Sequence, residues 1–185
     1  MKFHFSVLIL IASLLRCHSA TNSEGLKYLE ENRLKEDVVE TSSGLQYKVI
    51  EAGDASSTRP NRYTQCVVHY EGRTIDGQVF DSSYKRGDPA TFYPHQRLAV
   101  TASAAFEVID GWTEALEMMN EGSKWEVTIP SELAYHNQAI GDLITPGSVL
   151  VYTLELLDVI SRREMKGGSF KKGMPKQMHS WYYQG

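Results

Sequence analysis

Cysteine is nearly absent from this 185-residue chain: Cys17 and Cys66 are the only two. Cys17 falls in the leading segment, so a chain trimmed of that segment keeps a single thiol. That excludes an internal disulfide and a cysteine-based metal site. The six histidines, His4, His18, His69, His95, His136 and His179, include no pair at i, i+4 and no other metal-ligand spacing. No Gly-x-Gly-x-x-Gly follows a strand pattern and no phosphate loop occurs, which leaves nucleotide chemistry without a foothold. No Asn-x-Ser/Thr acceptor for glycosylation is present. Positive charge is scarce in the body: residues 21–160 carry 11 Lys/Arg against 22 Asp/Glu, whereas residues 161–185 carry six against one. An acidic body with a basic tail is not the charge pattern of a nucleic-acid-binding domain.

What is present begins with Lys2, an apolar run from Val7 to Leu15, and Arg16-Cys17-His18-Ser19-Ala20. A basic start, a short apolar run and small residues near Ala20 describe a secretory signal, removed after Ser19 or Ala20. The run is short for a membrane span. The alternative is a retained helical anchor, which would tether the rest to a membrane. Leu14-Leu15-Arg16-Cys17 approximates a bacterial lipoprotein cleavage site, with Arg16 out of place before the cysteine. The expected location is periplasmic or extracellular. The chain ends Trp181-Tyr182-Tyr183-Gln184-Gly185, which carries no ER-retention signal.

At 42% hydrophobic and 23% charged, the remainder has enough apolar material for one core. Residues 23–39 predict an amphipathic leading helix with Ser23 as N-cap and Leu26, Tyr28, Leu29, Leu34 and Val38 among charges. Leu45, Tyr47 and Val49 alternate with polar neighbours and predict a strand closed by a Gly-Asp turn. Residues 64–72 alternate again, which puts Cys66, Val68 and Tyr70 on one face. Asp76-Gly77 signals a tight turn before a strand at Val79-Phe80-Asp81. One short helix is expected over 111–119, with Trp112, Ala115, Leu116 and Met119 on one side, then a strand from Lys124 to Ile129. The run Val149–Ile160 reads as a strand in the middle of a sheet. Antiparallel strands around one interior helix make the class α+β. The Gly-rich basic tail, 161–185, lacks a hydrophobic period and is expected to be flexible.

The stretch VFDSSYKRGDPATF, residues 79–92, raises the question of hydrolytic chemistry. A nucleophile needs a base to activate it and a third group to orient the base. A serine beside an aspartate in sequence is more commonly a turn or cap, which is the reading for Ser82 and Ser83. Aromatic residues gather at strand ends and loops: Tyr70, Phe80, Phe92, Trp112, Tyr135 and Tyr152. Such a set can be plain core or the lining of a pocket.

The segments SGLQYKVIEAGD, VVHYEGRTIDGQVFDSSYKRGDPATF, VIDGWTEALEMMNEGSKWEVTIPSELAY and ITPGSVLVYTLELLDV occur in this order. Together they resemble FKBP-type peptidyl-prolyl isomerases over residues 44–160, and are more similar to the macrophage infectivity potentiator (Mip) branch. The leading GLKYLEENRLKEDVVETSSGLQYKV looks like that branch's linker helix entering the domain. The resemblance implies an FKBP-like twisted antiparallel sheet wrapped around one short α-helix, preceded by the amphipathic helix. The chain then divides into a signal (1–20), leading helix and linker (21–43), isomerase domain (44–160) and tail (161–185).

It also implies roles. Tyr70, Phe80, Phe92, Val108, Ile109, Trp112 and Tyr152 match positions that wall an apolar pocket, with Trp112 at its floor. The Ile109 backbone N–H and the Tyr135 hydroxyl would donate to peptide carbonyls. Asp81 would be a rim carboxylate held by Tyr70 and Arg86, acting electrostatically. This chain departs from the family in having His136 where Gly usually follows the tyrosine, a longer segment between Phe92 and Val108, and Thr145-Pro146 in place of Pro-Pro. The implied activity is rotation about X-Pro bonds without cofactor or metal. The implied partners are proline-containing peptides and proteins and macrolides of the FK506 and rapamycin type, with a role in folding and in host interaction or infectivity. The other reading is a proline-peptide binding or chaperone module with weak or no catalysis. A monomer is expected, since the leading helix is short for a dimerising arm.

Overall fold

The strand Leu150–Ile160 occupies the centre of a twisted antiparallel sheet because its apolar residues are shared by neighbours on both sides. The computed structural model describes residues 20–61, 64–92, 94 and 108–160. The expected signal up to Ser19, the 93–107 insertion apart from Pro94, and the 161–185 tail lie outside the described residues. In chain order the elements are α1 (Ser23–Asn32), β1 (Val39–Glu40), β2 (Gln46–Glu51), β3 (Gln65–Thr74), β4 (Val79–Ser82), α2 (Ser83–Arg86), β5 (Ala90–Phe92), α3 (Asp110–Met118), β6 (Lys124–Ile129) and β7 (Leu150–Ile160). A 3₁₀ turn, Ser131–Leu133, follows β6. The strands are ordered β1-β2-β6-β7-β3-β4, with β5 pairing β3.

Alternation explains the core. Leu150, Tyr152, Leu154 and Leu156 of β7 join Val68 and Tyr70 of β3, Trp125, Val127 and Ile129 of β6, and Trp112, Ala115, Leu116 and Met119 from α3 and its end. Removing each large apolar side chain from water contributes about 1.5–3 kcal/mol. The α3 stripe at 112, 115, 116 and 119 is what turns the helix onto the sheet. The expected interior helix and central final strand are therefore present, each displaced by one residue at its start.

The leading helix differs from expectation in both ends. Its N-cap is Asn22, whose side chain accepts from the Gly25 N–H at 2.8 Å, so Ser23 is already helical. It stops at Asn32, well short of residue 39. The Asn32 amide is buried and donates to Gln46 Oε1 at 2.9 Å and Thr128 Oγ1 at 3.4 Å. Those partners hold the helix end against the sheet, and Asp37, at φ 67°, reverses the chain into β1. Leu34, spaced as if on the apolar face, is 81% exposed. β1, ahead of residue 44, already pairs with β2 through Val39 opposite Tyr47. The helix thus lies docked on the sheet. Among the described residues no helix is long and apolar enough to cross a membrane.

Candidate functional site

Trp112, in the first turn of α3, is the hub of the site. Its indole meets Tyr70 at 4.9 Å and 76°, Phe92 at 5.1 Å and 82°, and Tyr152 at 5.1 Å and 89°. These edge-to-face arrangements suit the ring quadrupoles and together lock the indole plane. The rings come from four elements: α3 supplies the floor, β3 and β5 one side, β7 the other. Register aligns them, since Cys66 opposes Phe92 across β3 and β5, and Gly72 opposes Tyr152 across β3 and β7. Gly72 has to be glycine, because a Cβ there would lie 2.6 Å from both the Phe80 and Tyr152 rings.

The cleft above Trp112 is lined by Tyr70, Asp81, Phe92, Val108, Ile109, Trp112, Tyr135 and Tyr152, around about 390 Å³ of unfilled space including its mouth. Phe80 stands elsewhere: its ring is 5.6 Å from Tyr152 at 85°, over Gly72, so it buttresses a wall of the cleft. Arg86 is likewise outside the lining and reaches the cleft through Asp81. The Trp112 indole N–H is buried with no hydrogen-bond partner among the described residues, an uncommon condition in an interior.

Asp81 is the carboxylate at the rim. The Tyr70 hydroxyl donates to its Oδ2 at 2.5 Å, the Arg86 guanidinium pairs with its Oδ1, and Arg86 also donates to the Tyr70 hydroxyl at 2.8 Å. Asp81 opposes Gly72 on β3. Arg86 returns to it because Ser82 caps the short α2, accepting from the Lys85 N–H at 3.4 Å. The guanidinium also lies 5.4 Å over the Tyr70 ring. Burial, then the Asp81 hydrogen bond, pushes the Tyr70 hydroxyl up to about 12, against the opposing effect of Arg86. Burial likewise raises Tyr135, and holds Tyr152 well above the usual tyrosine value. The cleft therefore presents neutral phenol donors at physiological pH.

Ser83 does more than turn the chain. It is fully buried, accepts from the Tyr70 N–H at 2.7 Å, donates to the Tyr70 carbonyl at 3.2 Å and lies 2.9 Å from His69 Nδ1. A Ser-His pair thus exists, but its hydroxyl is enclosed and bonded to β3, where no substrate can reach it. This pair therefore offers no accessible nucleophile. The Cys66 thiol is also fully buried, and burial pushes it up to about 12. Among the described residues no cluster of His, Cys, Asp or Glu could hold a metal ion. The rim loop after the 3₁₀ turn carries Tyr135 and then His136 at φ 53°, a left-handed conformation that glycine adopts without cost.

Fold and cleft together define the class: the chain belongs to the FKBP-type peptidyl-prolyl cis-trans isomerase family, whose model it matches over residues 56–157. Residues 16–49 match the domain amino-terminal to FKBP-type peptidyl-prolyl isomerase. The chain is similar to the FKBP-type 22 kDa peptidyl-prolyl cis-trans isomerase of Escherichia coli, 48% identical over 141 residues, covering 76% of this chain and 62% of that protein. It is similar to outer membrane protein MIP of Legionella longbeachae, 41% identical over 137 residues, covering 74% of this chain and 53% of that protein. The crystal structure of FkpA from Escherichia coli superposes with a TM-score of 0.64 at 38% identity, covering 75% of this chain and 58% of that one. The chain thus spans between about half and two thirds of the length of these proteins.

Proposed function

We propose that this chain is a peptidyl-prolyl cis-trans isomerase acting on X-Pro bonds in exported proteins. The observation that carries the reading is an aromatic cleft, floored by Trp112, whose rim carboxylate Asp81 is fixed by Tyr70 and Arg86. Amide resonance sets a barrier of about 18–20 kcal/mol to rotation, and X-Pro bonds face one of the same size. Lowering it requires no bond to be made or broken. Tyr70, Phe92, Trp112 and Tyr152 would grip the proline ring and strip water from the imide, which favours the twisted state over the planar one. The Ile109 N–H and the Tyr135 hydroxyl would donate to the peptide carbonyls, and Asp81 would set the field at the rim.

Residues 1–20 fit an export signal, 21–43 a leading segment docked on the catalytic domain, 44–160 that domain and 161–185 a basic tail. The periplasm or the extracellular space is the proposed location, with a monomer as working unit. Assistance to folding, binding of FK506-type macrolides and a part in host infection go with this reading, the last supported by the similarity to a protein named MIP. A protease-coupled proline isomerisation assay tests it, with and without an FK506-type inhibitor. Acceleration over the spontaneous rate, abolished by inhibitor, is expected. No acceleration with proline peptide still bound would establish a binding module in place of an enzyme.

A further inference from the structure

Thr21, the residue just after the small-residue stretch that ends the leading segment, is 5% exposed and engages the rim loop. Its backbone N–H donates to Glu132 Oε1 at 3.2 Å, and its hydroxyl donates to Glu132 Oε2 at 2.5 Å. The same hydroxyl accepts from the Ser131 N–H at 3.0 Å. Next to it, the Asn22 N–H donates to the Gly147 carbonyl at 2.9 Å, and the Gly147 N–H to the His136 carbonyl at 2.8 Å. Thr21 and Asn22 therefore hold both ends of the loop that carries Tyr135. Gly147, at φ 76°, makes room for them, because a Cβ there would lie 2.7 Å from the Ala20 carbonyl oxygen and 2.8 Å from the Asn22 nitrogen.

We infer that Glu132 is the receptor for a new N-terminus made by processing between Ala20 and Thr21, a contact that steadies the Tyr135 loop. The inference rests on reading residues 1–20 as an export signal. Hydrolysis by a signal peptidase adds one water across the Ala20–Thr21 bond, leaving a carboxylate on Ala20 and an ammonium on Thr21. The nitrogen that acquires the charge is the one already 3.2 Å from Glu132 Oε1. A hydrogen bond charged on the carboxylate side alone becomes a hydrogen-bonded ion pair with charge on both partners. The ammonium sits beside the positive N-terminal end of α1, a repulsion that the Glu132 carboxylate offsets for both groups. Burial of Thr21 limits screening by salt.

The test compares the chain Thr21–Gly185, which keeps every element described, with a free and with an acetylated α-amine, in the parent and in Glu132→Gln. The acetyl group restores the amide that Ala20 provides. Acetylation is expected to lower the parent Tm by about 3–8 °C and to speed amide hydrogen exchange at residues 131–136, with little effect of either kind in Glu132→Gln. Equal shifts in both proteins, or no shift in the parent, overturn the inference. Should Glu132→Gln not fold, the parent decides: its Thr21 amine should acylate at least about tenfold more slowly folded than unfolded, and equal rates overturn the contact. N-terminal sequencing of the full chain after export separately tests the reading of the signal. A first residue other than Thr21 overturns that processing site, and the acetylation comparison still judges the Glu132 contact.

Discussion

Tyr70 and Asp81 sit on adjacent antiparallel strands, and the Tyr70 hydroxyl, 2.5 Å from Asp81 Oδ2, ties the aromatic wall of the cleft to the only carboxylate that lines it among the described residues. Arg86 closes the triangle by bonding to both. The rim is thus cross-bonded where the floor is apolar, a division of labour that suits the proposed rotation, which needs orientation and a field.

Asp81→Leu is expected to lower kcat/KM for a proline peptide about tenfold or more, corresponding to ~1.4 kcal/mol of lost transition-state stabilisation. The fold should persist. The Asp81 and Arg86 side chains are 32% and 49% exposed, so the freed guanidinium returns to water and the lost ion pair costs at most about 1 kcal/mol. Activity equal to the parent, with unchanged Tm, would remove Asp81 from the proposed mechanism.

Tyr70→Phe gives a pH signature. Tyr70 is raised to about 12 in the fold from an ordinary 10.0, so its contribution to stability is complete below pH 10 and is lost as pH climbs through about 12. The stability gap between parent and variant should therefore narrow above pH 10, by about 1.4 kcal/mol per pH unit. Denaturant titrations from pH 9 to 12 measure it, and a constant gap would contradict the assignment. Tyr135 and Tyr152 are raised too, so both proteins should still lose stability in alkali.

Ser83→Ala should destabilise by about 1–3 kcal/mol, because the Tyr70 N–H then loses its acceptor in a buried place. Loosening Tyr70 should also raise KM. Chemical denaturation and peptide kinetics check both, and Ser83→Ala with parental stability would show that the hydroxyl is not needed to hold α2 on β3.

His136→Gly should stabilise by up to about 1 kcal/mol. The left-handed backbone at φ 53° costs histidine about 1–2 kcal/mol, which glycine avoids at an entropic cost of about half that. His136→Val, β-branched in the same conformation, should destabilise instead. Denaturation midpoints of the pair decide, and the opposite order would show that His136 makes compensating contacts.

Much of the fold is legible because strands and α3 advertise themselves locally: alternation at 66, 68 and 70, and the 112, 115, 116, 119 stripe, need no distant partner to be recognised. The same spacing predicts a leading helix that continues to residue 39, since Leu34 and Val38 extend it. What ends it is Asn32 bonded to Gln46 and Thr128, the latter 96 residues away in the chain. Alternation also could not say that Phe80 faces Gly72 and Tyr152 beside the cleft. In the site, the resemblance led to the Asp81, Tyr70 and Arg86 group that the structure brings together. Ser83 reads as a turn or cap residue and His69 as a strand residue, because nothing in a serine next to an aspartate signals a partner across a sheet.

By itself the sequence determined the α+β class, the strand and helix periods that build its core, and an aromatic set able to serve as core or as pocket lining. These are local properties, set by sterics and by which side chains leave water together. Only the tertiary structure decided that Trp112 joins three rings, that Phe80 stands behind one of them, and that Thr21 meets Glu132, 111 residues further on. Such contacts depend on how the sheet twists and where each loop closes, and that geometry is a property of the whole folded chain.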